Sequence, residues 1–245
     1  MTAAIDDVNY SNFLKESKNC TPQLVCNIIE KGATQAVFRE RALLLKNLYS
    51  CQPYMQTKIQ VVSYVIDAVD NIANLAKKTL FSEPSVCNTE ICSLCDGRTY
   101  NDILIAPNHK IIVKKGFSYL KTVLNFYSPI FRIKCHEPCM GVYTWLRRPQ
   151  IHIMIELDIR SNLQCVTGHS CLIKEMPTTL QLEHDKNISS KYKLVGIIDF
   201  NSGHYIAYCL RTNGIWQIYD DLNSDIRTCS SNARINPHFA IYIRC

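Results

Sequence analysis

Two pairs of closely spaced cysteines constrain the fold of this chain more than any other feature of its 245 residues. The first pair is Cys92 and Cys95, the second is Cys135 and Cys139, and 39 residues lie between the pairs. Two turns that each present two thiolates supply the four ligands of a tetrahedral Zn²⁺ site. Strand-like segments flank both pairs, so the sequence predicts a zinc ribbon in which these four residues hold a structural zinc ion.

The other cysteines are interpreted through the expected redox state of the thiols. The chain has 13 cysteines, but no N-terminal apolar segment typical of a secretory signal, and no stretch of the ~20 apolar residues that a membrane span needs. We therefore expect reduced thiols in a cytosolic or nuclear protein without membrane contact. Cys87 and His136 are alternative ligands for one metal position. A weaker cluster of Cys165, His169 and Cys171 is assigned to a loop.

Helical and strand patterns occupy different parts of the chain. Thr21-Pro22 is typical of a helix start and Gly32 of a helix end, and residues 33–49 contain strong helix formers. Apolar residues recur at helical spacing over residues 56–78, which predicts one long amphipathic helix. Beyond Leu80, strand-like segments dominate. Helices followed by antiparallel strands indicate an α+β fold.

One hairpin carries a candidate catalytic pair, His204 and Asp220, on either side of the turn signal Asn213-Gly214. A two-residue loop would put the two side chains on opposite faces. A three-residue loop, with the glycine left-handed, would set Ile206 opposite Asp220 and bring His204 and Asp220 to one face within side-chain reach. Asp220 could then fix the imidazole tautomer and leave the other nitrogen as a base. Spacing alone leaves open that His204 is an ordinary strand residue.

The same hairpin resembles the histidine box of ubiquitin-specific proteases, zinc-containing papain-like enzymes that remove ubiquitin. The family pattern is a Tyr-x-Leu strand, then Gly-His-Tyr-x-x-Tyr, then a tryptophan followed by Asp-Asp. Here it matches Tyr192, Leu194, Gly203, His204, Tyr205, Tyr208, Trp216, Asp220 and Asp221. The closing strand at 239–244 and the two cysteine pairs also correspond, so the resemblance covers about residues 87–244. Phe200-Asn201-Ser202 departs from the His-x-Gly that the family often has before its histidine.

This resemblance implies a single papain-like domain with a helical part over 1–80, zinc-ribbon fingers over 85–145 and a β palm over 146–245. It implies that His204 is the general base and Asp220 its orienting carboxylate. Gly203, Tyr205 and Trp216 would contact substrate. The zinc ion would brace the fingers, and the partner would be ubiquitin or a ubiquitin-like modifier.

The family's nucleophile motif, Gly-x-Thr-Cys-aromatic-x-Asn at the start of a helix, has no counterpart in this sequence. The nearest candidate is Cys20, in Asn19-Cys20-Thr21-Pro22, but its neighbours do not match the motif. Cys26 would lie inside a helix. We therefore expect a domain truncated at its N-terminal side that lacks the catalytic thiol.

Three functions follow as hypotheses. The first is a module that binds ubiquitin or a ubiquitin-like modifier without cleaving it. The second is an active thiol isopeptidase that uses Cys20 or an upstream cysteine. The third is a zinc-ribbon adaptor that contacts nucleic acid through the net charge of +6. Basic and aromatic residues do not interleave in any one stretch, which argues against nucleic acid.

Overall fold

The computed structural model describes residues 7–32, 34–56, 61–124, 126, 133–159, 169–185, 188–201, 203–223 and 225–245. The α+β architecture with antiparallel sheets is confirmed. The helices are α1 Val8–Glu16, α2 Cys20–Lys31, α3 Gln35–Leu48, α4 Ile72–Thr79, α5 His109–Lys115 and α6 Leu120–Val123. In the described part of the chain, none of them is both long and apolar enough to cross a membrane.

Within the described residues, the strands form four sheets. Their bounds are β1 Cys51–Gln56, β2 Val61–Ile66, β3 Val86–Cys92, β4 Arg98–Asp102, β5 Ile133–Lys134, β6 Val142–Pro149, β7 His152–Glu156, β8 Cys171–Leu172, β9 Thr179–Asp185, β10 Ile188–Asn201, β11 His204–Leu210, β12 Trp216–Tyr219, β13 Arg227–Cys229, β14 Arg234–Ile235 and β15 Pro237–Arg244. The strand order is β13-β12-β11-β10-β15-β7 in the largest sheet, where β9 also pairs with β10, and β4-β3-β6-β5 in the second. We term these the palm sheet and the fingers sheet. Two short sheets pair β1 with β2 and β8 with β14.

The predicted long helix over residues 56–78 is wrong in its first half. Val61–Ile66 form β2, which pairs with β1 in antiparallel register, and only Ile72–Thr79 are helical. The segment Val61–Ile66 is rich in β-branched residues, which favour a pleated strand even where their spacing also suits a helix. The Asn71 side chain accepts a hydrogen bond from the Asn74 N–H and so starts α4 at a new cap. Residues 57–60 lie outside the described part.

Helix α2 begins two residues earlier than predicted but ends where expected. The cap of α2 is Asn19, whose side chain accepts from the Thr21 N–H, so Thr21 and Pro22 lie inside the first turn. Gly32 ends the helix at a φ of +70°, a left-handed conformation that favours glycine.

The two faces of the palm sheet are covered by different elements. Ile197, Tyr208 and Ala240 point to one face, here termed the front face, and join the largest buried cluster with Phe117 and Leu120. This cluster is the main hydrophobic core. It also receives Val86 from the fingers sheet and thereby joins the two sheets.

The N-terminal helices cover the opposite side, termed the back face. Ile198 and Phe239 meet α4 there through Ala76. Val195 and Ile243 meet α1 through Tyr10. The palm sheet is therefore sandwiched between α1, α2 and α4 on the back and α5 and its neighbours on the front.

Candidate catalytic pair and metal centre

The hairpin formed by β11 and β12 has the three-residue loop that the sequence allowed. Ala207 pairs with Tyr219 and Leu210 with Trp216, and the Arg211 N–H donates to the Ile215 carbonyl at 3.0 Å. The loop is 212–214, with Gly214 at a φ of +79°. One position beyond the Ala207–Tyr219 pair, the same register sets Ile206 opposite Asp220.

His204 and Asp220 consequently meet on the front face. His204 Nε2 lies 2.8 Å from Asp220 Oδ1 and 3.3 Å from Asp221 Oδ1. An ionised carboxylate only accepts hydrogen bonds, so Nε2 carries the proton and Nδ1 is left to interact with a reacting group. This is the geometry that a general base needs.

Asp220 is held from several directions. Its Oδ1 also accepts the Leu222 N–H at 3.1 Å, and its Oδ2 accepts from Asn223 Nδ2 at 2.5 Å. The hydrogen bond from His204, followed by those from Leu222 and Asn223, lowers the pKa of the Asp220 carboxyl below its ordinary value. The carboxylate therefore stays ionised at neutral pH and fixes the orientation of the imidazole.

Two of the three predicted substrate contacts are instead engaged inside the fold. Tyr205 points to the back face, where its hydroxyl accepts the Ile72 N–H at 3.2 Å and its ring lies 4.7 Å from that of Phe200. Trp216 is only 6% exposed and belongs to the main core. We correct both assignments: Tyr205 holds α4 against the sheet, and Trp216 supports the hairpin from inside.

Gly203 is the predicted substrate contact that does border open space. It precedes His204 at a φ of +84°, and no heavy atom lies within 4 Å of the position that a Cβ would occupy. A bound substrate could approach the backbone of Gly203 closely.

The structure does not bring Cys20 to His204. Cys20 is the first residue of α2, which packs on the back face. Thr21 Oγ1 donates to the Thr79 carbonyl at 2.9 Å, at the C-terminal end of α4. Tyr205 contacts Ile72 at the other end of α4. A rise of 1.5 Å per residue puts Ile72 about 10 Å from Thr79 along the helix axis. No described cysteine forms a hydrogen bond with His204, whose described partners are Asp220 and Asp221.

The four paired cysteines converge at the tip of the fingers sheet. All four Sγ atoms lie within 4.8 Å of one another, and the Cys92–Cys139 and Cys95–Cys135 Sγ distances are both 3.7 Å. A tetrahedral ion with Zn–S bonds of about 2.3 Å requires Sγ atoms roughly 3.8 Å apart, and these two distances match that requirement.

Backbone N–H groups support the sulfur atoms. The Leu94 N–H donates to Cys92 Sγ and the Gly141 N–H to Cys139 Sγ, each at 3.4 Å. The hydrogen bond from Leu94 is the largest effect that lowers the pKa of Cys92, to about 6, so this thiol readily becomes a thiolate. A Cβ on Gly141 would lie 2.7 Å from Cys92 Sγ, which shows how closely the second turn packs on the first.

The alternative ligands lie outside this cluster. Cys87 is five residues before Cys92 on β3, about 17 Å along the strand. His136 directs Nε2 to Glu90 Oε2 at 3.0 Å. Of the weaker cluster, Cys165 lies outside the described residues. Cys171 is buried, which raises its pKa to about 12.

Arginine–aromatic pairs on the fingers sheet were missed by sequence reasoning. The Arg98 guanidinium lies 5.2 Å from the Tyr100 ring centroid, and Arg147 lies 5.0 Å from Trp145 and 4.8 Å from Phe126. These residues come from two strands and a connecting segment. In the sequence, the signal for these pairs is their spacing of two residues along β4 and along β6, which places both members of a pair on one face of the strand.

Gly97 offers a direct test of the first cysteine turn. Its φ is +66°, and a Cβ there would lie 1.8 Å from the Glu90 carbonyl oxygen, so Gly97→Ala must displace backbone. We expect Zn²⁺ affinity to fall about tenfold, which corresponds to about 1.4 kcal/mol. Gly116→Ala is the matched control, because Gly116 has a φ of +84° and open space around it. Equal affinities of the two variants in a chelator competition would contradict this prediction.

Comparison with known proteins gives distant likenesses. No family model matches the chain. A 120.7 kDa protein in the NOF-FB transposable element of Drosophila melanogaster is 27% identical over 260 residues, which cover 99% of this chain and 23% of that protein. The chain thus spans about a quarter of that relative.

The similarity to solved structures is also distant. The Ubp8-Sgf11-Sgf73-Sus1 SAGA DUB module superposes with a TM-score of 0.48 and 13% identity over 97% of this chain and 61% of the matched one. The DUB module bound to ubiquitin aldehyde superposes with a TM-score of 0.41 and 14% identity, over 92% and 53%. The chain spans less than two thirds of each.

Proposed function

We propose that this chain is a ubiquitin-specific-protease-like module that binds ubiquitin or a ubiquitin-like modifier and does not cleave it. The observation that carries the proposal is the pairing of His204 with Asp220 at 2.8 Å, on the hairpin that resembles the family's histidine box. The four-cysteine cluster at the tip of a separate sheet supports it. In this proposal His204 keeps the place of the base and Asp220 the place of the orienting carboxylate.

The thiol chemistry of the described residues supports the part of the proposal that concerns cleavage. Without a thiolate beside His204 Nδ1, no acyl-enzyme forms, and a histidine alone gives negligible turnover. The second candidate is an active isopeptidase in which Cys20 moves or an upstream cysteine is supplied. Its thiolate would attack the isopeptide carbonyl, His204 would protonate the departing lysine amine, and water would then hydrolyse the thioester.

The metal in this proposal is a structural zinc ion held by Cys92, Cys95, Cys135 and Cys139. Four thiolate ligands leave no open position for a substrate or water. The ion would fix the tip of the fingers sheet and take no part in bond making.

A nucleic-acid adaptor is the weaker alternative. The feature that best supports it is Arg147. Its guanidinium, however, already lies against the rings of Trp145 and Phe126, and its Nε donates to Asn88 Oδ1. Burial lowers the pKa of its guanidinium. Rings and guanidinium that already satisfy each other offer little surface to bases or phosphates.

The binding proposal is tested by obstructing the opening beside His204. Gly203→Arg places a long side chain there, and we expect the dissociation constant for ubiquitin to rise at least tenfold. Gly214→Arg is the matched control, because Gly214 has a similar φ of +79° and equally open surroundings at the far end of the same hairpin. Isothermal titration with ubiquitin and with small ubiquitin-like modifiers measures both variants. Absence of binding to every modifier would overturn the proposal.

The absence of cleavage is tested with a ubiquitin vinyl-type probe, which traps an active thiol covalently. We expect no labelling of the wild-type chain. Labelling that is lost in Cys20→Ser would establish the second candidate, and labelling that persists in it would point to another cysteine.

A further inference from the structure

The geometry points to Glu90 as a positioning residue of the metal centre, whose buried carboxylate ties the two cysteine turns together and raises their affinity for the ion. The inference rests on the proposed four-cysteine metal site. Glu90 is itself no ligand, because its carboxylate is fully engaged by the side chains of two other residues, Arg98 and His136.

Glu90 is an unusual residue for its position. Its side chain is only 4% exposed, although its neighbours near the tip of the fingers sheet, Ile91 and Leu94, are mostly exposed. A buried carboxylate is costly unless charged or polar donors satisfy both of its oxygens. Arg98 donates from Nε to Oε2 at 2.6 Å and from Nη2 to Oε1 at 3.1 Å. His136 Nε2 approaches Oε2 at 3.0 Å.

The two partners belong to different cysteine turns. Arg98 follows the first turn three residues after Cys95 and begins β4. His136 follows Cys135 directly and lies inside the second turn, where its carbonyl accepts the Cys139 N–H at 2.9 Å. The carboxylate therefore connects residues one and three positions from two ligands, Cys135 and Cys95, that are 40 positions apart in the chain.

Contacts beside the Glu90 link also hold the second turn: the Ser93 N–H donates to the Val142 carbonyl at 3.0 Å, and the Val142 N–H donates to Ser93 Oγ at 3.1 Å. The turn closes the hairpin of β5 and β6, in whose described part β5 pairs at two positions. The His136 ring also stacks on Tyr143, with centroids 5.7 Å apart and ring planes 22° from parallel. A link through Glu90 restricts the turn before the ion binds, so less ordering entropy opposes metal binding.

The backbone of Glu90 contributes at the same point. Its carbonyl oxygen lies against Gly97, between Cys95 and Arg98, at a distance that excludes any side chain. Strand β3 thus contacts the first turn through its backbone and both turns through the Glu90 side chain.

The test compares two carboxylate-to-amide substitutions in the same region. Glu90→Gln removes the charge and one acceptor from the link. Glu137→Gln removes a charge from the exposed neighbour of His136 inside the second turn. Zinc affinity is measured by competition with a chromophoric chelator, and ligand geometry by the absorption of the Co²⁺ complex. We expect Glu90→Gln to weaken Zn²⁺ binding at least tenfold and Glu137→Gln to change it less than threefold.

A second pair of variants keeps the inference testable if Glu90→Gln does not fold. His136→Phe retains a ring on Tyr143 but cannot bond to Glu90, and we expect a loss of Zn²⁺ affinity like that of Glu90→Gln. His136→Gln retains a donor for Glu90 and should recover most of the affinity. Near-ultraviolet circular dichroism in excess chelator checks that the palm sheet is folded in each protein.

The outcomes separate this inference from the proposed metal site. If the wild-type chain binds neither Zn²⁺ nor Co²⁺, the metal site itself is wrong. If the wild type binds and Glu90→Gln or His136→Phe binds equally tightly, the metal site stands and the positioning role of Glu90 is refuted.

Discussion

Chelation of the metal ion is expected to unfold the fingers sheet and leave the palm sheet folded. Among the residues that the structure describes, the tip of the fingers has no hydrophobic core of its own, since Ile91, Leu94 and Met140 are 58%, 71% and 91% exposed. Zinc-finger peptides gain about 10–16 kcal/mol from their metal ion, which exceeds the total stability of many domains. The palm sheet is held by the main core and does not depend on the four thiols.

Hydrogen exchange measures this difference segment by segment. After chelation, amides of 86–102 and 133–149 should lose protection, while those of 192–210 and 237–244 should retain it. Cys92→Ser should reproduce the effect without a chelator. Cys87→Ser is the matched control, because Cys87 lies on the same strand and outside the cluster. Unchanged protection of the fingers amides would mean that the ion has no structural role.

The features that the sequence predicts well are those determined by short-range rules. The cysteine pairs each lie within one turn, so spacing alone identified the four thiols that the structure brings together. The Asn213-Gly214 turn signal likewise located the hairpin, but it allowed two loop lengths, and it is the structure that fixes the three-residue loop joining His204 to Asp220.

The features that the sequence could not provide depend on which elements pack together. The apolar spacing of Val61–Ile66 suits both a helix and a strand, and only the partner strand β1 decides between them. Tyr205 and Trp216 were expected to contact substrate because they match positions of the histidine box that the hairpin resembles. Their side chains are instead engaged by α4 and by the main core.

Glu90 shows the same limit for polar groups. Nothing in the local sequence distinguishes it from an exposed strand residue. Its role depends on Arg98 across one strand pair and on His136, 46 positions away. Contacts between residues so distant in sequence follow from the fold and not from local patterns.

Acidification is expected to destabilise the palm through one buried histidine. His152 on β7 is fully buried and neutral. Its Nε2–H donates to the Glu83 carbonyl at 3.0 Å, and its Nδ1 lies 3.4 Å from the Tyr10 hydroxyl, which donates to it. Burial lowers the pKa of His152 from 6.5 to about 4. Protonation would place a charge between α1 and the sheet and would remove the acceptor for Tyr10.

The direction in which pH changes the free energy of unfolding follows from proton linkage. Between pH 6.5 and 4, the unfolded chain binds a proton at His152 that the folded chain excludes, so the free energy of unfolding falls as pH falls. The neutral His152 imidazole makes its full contribution to the free energy of unfolding above pH 6.5. At pH 5 this contribution should be smaller by about 2 kcal/mol than at pH 7, as measured by urea unfolding of the palm.

A substitution separates this residue from the other titrating groups, the metal thiols included. His152→Gln keeps a donor for the Glu83 carbonyl and an acceptor for Tyr10 but cannot take up a proton in this range. We expect the variant to lose some stability at pH 7, because glutamine fills the site less well than an imidazole, and to lose about 2 kcal/mol less than the wild type on going to pH 5. Parallel pH dependences of the two proteins would show that His152 does not link α1 to the sheet in its neutral form. The contact between Tyr10 and β7 would then need another explanation.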